Sequence, residues 1–235
     1  MDPLIRIKDS FTKGLIPKNI FELTMNRFPI AVEGINRIEK ASGIRFPIAY
    51  VEPSLVISSS NSNSYEYGLL FARTLPVVFD EKFQVVIQIS APLVAYGLKG
   101  TIHAILAHEF LHFLELIRKI SKMELLSDEI SSNLFENVYS DETRLFEPRV
   151  VFNDKTLLNH ITKRFPSGFR DYKLEDKVTK FWTNQNLPKV NISLDENTVK
   201  LSADIISKIK IDPNLITKLT ELESKSSKLK KKRLY

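Results

Sequence analysis

The chain has 235 residues, 43% of them hydrophobic and 26% charged, enough apolar material for one sizeable core or for one domain with a small appendage. It contains no cysteine, which excludes a disulfide framework, a thiolate nucleophile and thiolate metal ligands. Much of the formal net charge of +6 sits in residues 225–235, where Lys225, Lys228, Lys230, Lys231, Lys232 and Arg233 meet no acid; the remainder is close to neutral and implies no broad nucleic-acid face.

Residues 1–13 alternate apolar and charged side chains and lack the apolar run of a signal peptide. The longest apolar stretches, 85–98 and 102–117, are interrupted by Gln88, Pro92, three histidines and Glu109, so neither spans a bilayer. The expectation is a soluble cytoplasmic protein with no membrane partner. Apolar spacing predicts a helix over 17–40, with residues 26–29 as a place where it bends or breaks. Residues 47–58 read as a strand, 58–64 as a polar loop and 65–74 as a second strand, with Tyr65, Tyr67 and Phe71 as strand core. A third β region covers 77–90, which Asp80, Glu81 and Lys82 divide into a hairpin.

Thr101 reads as the N-cap of a long helix ending near Ile120. Residues 121–124 reverse the chain, and Ser127, Asp128 and Glu129 make a good start for a helix ending near Tyr139. Beyond Pro148 the pattern is weaker: a short strand over 150–153, helices over 155–164, 174–183 and 199–210, and a last helix from Pro213 into the basic tail. Trp182 reads as a core anchor of this part. The fold class expected is α+β, a mixed sheet packed on the long helix, with one domain over 1–147, a mainly helical part over 148–223 and a basic tail over 224–235.

His108, Glu109 and His112 spell H-E-x-x-H inside the long helix. Residues four apart lie one turn apart on the same helical face, so both imidazoles can reach one ion. Glu109 sits off that line, where its carboxylate reaches a water on the metal and can take its proton during attack on a carbonyl. Catalytic zinc takes three protein ligands, and His103, five residues before His108, points elsewhere on the helix. A carboxylate from the returning helix is the better candidate, and Glu129 and Glu136 both qualify, being seven apart on one face. Glu115 lies three after His112 on the histidine face, with an ion pair to Lys119 as its ordinary reading.

The motif and a glutamate on the following helix resemble the gluzincin group of zinc metallopeptidases, over roughly residues 17–139. The metzincin subclass is rejected, because Glu115 and Arg118 stand where its glycine and third histidine belong. The resemblance implies a zincin-like fold and a Zn2+ cofactor on His108, His112 and Glu129, with Glu136 as the alternative third ligand and Asn133 in place of an orienting aspartate. It implies hydrolysis of peptide bonds in a peptide or protein substrate, with Glu109 as general base and an edge strand over 83–90 bordering the cleft. Tyr139, Arg144 and His160 are chemically suited to stabilise an oxyanion. The other reading is a weak or inactive binding protein on the same scaffold, held to RNA or a ribosome by Lys228, Lys230, Lys231, Lys232 and Arg233.

Overall fold

A computed structural model describes residues 2–59, 67–79, 82–122, 145–165, 171–193, 209 and 211–232. Helix α1 (Ile5–Thr12) is followed by α2 (Lys18–Ser42), then strands β1 (Ile48–Glu52), β2 (Leu55–Ser59), β3 (Tyr67–Leu70), β4 (Ala72–Phe79) and β5 (Lys82–Ser90). Helices α3 (Ala91–Tyr96), α4 (Lys99–Ser121), α5 (Pro148–Val151), α6 (Lys155–Arg164) and α7 (Tyr172–Phe181) follow. A short 3-10 turn (Thr183–Gln185), strand β6 (Lys189–Ser193) and helix α8 (Pro213–Lys231) complete the order. The class is α+β with two small mixed sheets. Among the described residues no helix is long and apolar enough to cross a membrane.

The first sheet has the order β1-β5-β4, with β1 parallel and β4 antiparallel to β5. Its inner face carries Val51, Ala72, Thr74, Val85, Ile87 and Ile89, all buried, and packs on α4. On the other face Arg73 and Tyr50 flank Gln88: Arg73 Nε donates to Gln88 Oε1 at 2.8 Å, and Gln88 Nε2 donates to Tyr50 Oη at 3.1 Å. Arg6 of α1 lies over the Tyr50 ring, 4.8 Å from its centroid. Residues 83–90 are therefore not an edge, since β5 is the middle strand, paired on both sides. Its length and its Val85, Val86 and Ile87 suit a position hydrogen-bonded on both flanks.

The second sheet has the order β3-β2-β6. It takes one half of each strand expected over 47–58 and 65–74. Pro53 has no N–H to donate to a ladder and separates β1 from β2. Phe71 separates β3 from β4, its side chain buried and its carbonyl accepting from Ser90 N at 2.9 Å. The expected strand over 150–153 is also replaced: Pro148 suits the first helical position, so 148–151 form the single turn α5.

Helix α2 continues through Pro29 and ends at Gly43, whose φ of 63° is left-handed. The lost backbone bond is tolerated because Ile20, Thr24, Ala31, Gly34 and Ile38 hold one face against α3 and α4. Helix α4 is apolar nearly all round and buried on every side, by β4 and β5, α2, α6 and α8. Its N-cap is Leu98, and the expected cap Thr101 is instead buried, its hydroxyl donating to Asp171 Oδ2 at 2.6 Å. Trp182 is fully buried and donates from Nε1 to Pro188 O at 2.9 Å, in the anchoring role expected of it.

The basic C-terminal segment is not a free tail as far as Lys231. It is the second half of α8, which Asp212 caps at Asn214 N, 2.9 Å. Leu219, Leu222 and Ser226 are buried, and Glu223 binds Arg118 Nε at 2.7 Å and Lys122 Nζ at 2.6 Å. The helix expected over 199–210 lies outside the described residues, apart from Ile209.

The α2–α4 crossing relies on Gly34. A β-carbon there would stand 2.7 Å from His103 Cδ2 and 3.1 Å from Leu106 Cδ1. His103 is fully buried, with Nε2 donating to Ile30 O at 3.1 Å, which leaves Nδ1 to accept from Arg37 Nη1 at 3.4 Å. Gly34→Ala is expected to lower stability by about 1–3 kcal/mol in denaturant melts, because neither α4 nor the imidazole can retreat. Arg37 also forks onto Asp154, at 2.7 and 2.8 Å, and Asp154 caps α6 at Leu157 N. That guanidinium holds the Asp154 carboxyl down to about 2. A depressed carboxylate contributes stability above its ordinary range and loses it as pH falls through the folded value. Asp154→Asn keeps the cap but removes the charge, so it should cost about 1–2 kcal/mol at pH 7 and flatten the wild-type decline between roughly pH 4 and 2.

Candidate metal centre

The motif lies in the middle of α4, where helical spacing stacks His108 and His112 on one face. Their Nε2 atoms are 2.9 Å apart and the rings stand edge to face, with centroids 4.5 Å apart. In the metal-free chain that separation suits a hydrogen bond sharing one proton. Two nitrogens on one tetrahedral ion at zinc–nitrogen distances are about 3.3 Å apart, so a slight opening of the pair admits an ion. A carboxylate oxygen of Glu109 completes a group whose three donor atoms all lie within 4.8 Å of one another. Among the described residues this is the group able to hold a metal, and its donors, two imidazoles and a carboxylate, suit a divalent transition ion.

Two of the three members are oriented by different elements. Phe165, just past the end of α6, stacks on His108 with ring centroids 4.2 Å apart and planes 5° from parallel. This contact fixes the imidazole plane. Thr74 of β4 places its hydroxyl 2.8 Å from Glu109 Oε2 and 2.9 Å from the Glu109 carbonyl. His108 and Glu109 are buried, whereas His112 keeps part of its surface open. Burial pushes the Glu109 carboxyl up to about 7, against the smaller opposing effects of the Thr74 hydroxyl and the Arg73 guanidinium. A carboxyl poised near neutrality is suited to accept and return a proton.

Of the residues expected around this group, Glu129, Glu136, Tyr139 and Arg144 lie outside the described residues. His160 lies elsewhere. Its ring packs over Gly100 in the first turn of α4, and the eight residues from there to His108 span about 12 Å of helix. The structure thus does not bring His160 to the histidine pair. Glu115 is buried and accepts from Leu145 N at 2.9 Å, so it braces the chain arriving at α5 rather than a surface ion pair. Lys228, Lys231 and Lys232 are exposed near the end of α8, Lys230 is partly buried, and Arg233 is outside the described residues.

Thr74 and Phe165 escape sequence reasoning. Neither has a spacing that ties it to the motif, since 35 residues separate Thr74 from Glu109 and the contact exists only through the sheet. No protein-family model, curated protein or solved structure matches this chain.

The raised Glu109 carboxyl has a direct consequence for the metal-free protein. Above the ordinary carboxyl range the unfolded chain releases its proton while the folded chain keeps it, so stability falls as pH rises towards 7. Glu109→Gln should therefore melt higher than wild type at pH 8, by about 1–3 kcal/mol after chelation, and the difference should vanish near pH 4.

Proposed function

We propose that this chain is a zinc metallopeptidase of the zincin-like, gluzincin type, hydrolysing peptide bonds. The observation that carries the reading is the pair of imidazole nitrogens 2.9 Å apart with the Glu109 carboxylate beside them. His108 and His112 bind the ion, and a carboxylate from the chain after α4, Glu129 ahead of Glu136, supplies the third protein ligand. Zinc held there supplies Lewis acidity that activates water at neutral pH and polarises the scissile carbonyl. Glu109 accepts the proton of the attacking water and returns it to the leaving nitrogen, a shuttle that its buried, near-neutral carboxyl suits. A carboxylate one residue after a ligand histidine has no use in a purely structural site, which favours catalysis over storage of the ion.

Strand β4 is the outer strand of its sheet among the described residues and lies against α4 at Glu109, so an extended peptide added there would pass the histidine pair. The exposed lysines of α8 support a second reading, a scaffold protein attached to RNA or a ribosome. Replacing Lys228, Lys231 and Lys232 with alanine separates the two. Loss of RNA binding with hydrolysis intact leaves the enzyme reading standing, and RNA binding by a chain that holds no metal favours the scaffold.

Plasma mass spectrometry of the purified protein tests the first reading. About one zinc per chain is expected in wild type and in Glu109→Gln, falling at least roughly tenfold in His112→Ala, with peptide hydrolysis lost in both variants. Wild type that takes up no metal even when zinc is supplied would sink the peptidase.

A further inference from the structure

The contact between Thr74 and Glu109 is more specific than packing requires. Both side chains are buried, and a buried hydroxyl is costly unless it is hydrogen-bonded. The Glu109 carbonyl lies within the helical ladder of α4 and needs no second donor. A valine would fill the same space, suit a strand equally well and carry no polar burden. The hydroxyl therefore answers to the carboxylate, 2.8 Å away.

Resting on the reading of the site as a zinc peptidase, we infer that Thr74 is a positioning residue, whose hydroxyl aims the Glu109 carboxylate at the space in front of the two imidazoles. Thr74 has one hydroxyl proton for two acceptors, the Glu109 carbonyl at 2.9 Å and the Glu109 carboxylate at 2.8 Å, and the ionised carboxylate, the stronger acceptor and the one not already bonded in the helix, takes it. That bond selects the carboxylate rotamer. Thr74 itself has little freedom. Its strand is registered against β5 with Thr74 opposite Ile87, and its branched side chain is stiff about χ1. A group that has to lie within a fraction of an ångström of its working position is thus held from a rigid strand rather than a loop. Glu109 alone has three rotatable bonds, and among the described residues the Thr74 hydroxyl is the side-chain donor on its carboxylate.

The test compares Thr74→Val, which keeps shape and loses the hydroxyl, with Thr74→Ser, which keeps the hydroxyl. Each is measured for zinc content, thermal stability, kcat and KM on a peptide substrate, and affinity of the cobalt-loaded protein for acetohydroxamate read from its visible spectrum. Acetohydroxamate chelates the metal and needs a correctly placed carboxylate to take its proton. Thr74→Val should keep its metal, lose roughly 10- to 100-fold in kcat with KM within about twofold, and bind acetohydroxamate about tenfold more weakly. Thr74→Ser should stay within about threefold of wild type in both readings. Should the valine variant fail to fold, Thr74→Ala, which only removes atoms, takes its place. Wild-type values in the valine variant, or equal losses in valine and serine variants, would overturn the inference. A wild type that binds cobalt and acetohydroxamate but cleaves no peptide sinks the peptidase alone, and the acetohydroxamate affinities then decide Thr74. A wild type that binds no metal sinks both.

Discussion

Burial of α4 on all sides is the constraint from which the rest of the molecule follows. A helix covered by a sheet and three other helices leaves little water for its polar side chains, yet this one carries Thr101, His103, His108, Glu109 and Glu115, each 8% exposed or less. Each has to find a partner inside the protein or lower the stability of the whole. The partners come from different elements: Asp171 for Thr101, Ile30 and Arg37 for His103, the His112 nitrogen for His108, Thr74 for Glu109 and the Leu145 amide for Glu115. Among the described residues, Thr183 Oγ1 is the one buried side-chain polar atom left without a partner. The polar positions of α4 thus act as pegs that fix where each surrounding element sits.

That arrangement links stability to chemistry. Replacing the buried carboxyl of Glu109 by an apolar residue would relieve desolvation, so a carboxyl kept beside a histidine pair marks this as the candidate functional site. The low-dielectric surroundings that raise its proton affinity would equally strengthen its interaction with a cation placed beside it. Phe165, against His108, and Thr74, against Glu109, limit how far the imidazole and carboxylate can turn. The site is therefore prepared for an ion by packing laid down for the fold. His112 is the member of the group that keeps part of its surface open.

Packing also explains why some segments depart from their local signals. The sequence over 47–58 is β-forming throughout, but Pro53 breaks it and sends its halves to two sheets. The lysine-rich end has the composition of a mobile tail, but Leu222 and Ser226 bury one face of α8, and Glu223 clamps it to Arg118 and Lys122 of α4 and its C-terminal cap. In the second case a contact distant in sequence outweighs a local preference that amounts to tenths of a kcal/mol per residue, whereas in the first the local break at Pro53 leaves β5 and β6 to pair with the two halves separately.

The sequence by itself determined the long motif helix, the order of helix, strands and helix around it, and the candidate chemistry of His108, Glu109 and His112. These depend on interactions within one or two turns, where a spacing of four residues places two side chains on one face whatever surrounds them. Only the tertiary structure decided which strand borders the helix, that His160 lies at its far end, that Glu115 faces inward, and that Thr74 and Phe165 hold the site. Those outcomes rest on pairs separated by tens of residues, and no periodicity along the chain records which strand, loop or helix end will meet a given face. The pairing is settled when one buried helix has to satisfy all its polar groups at once.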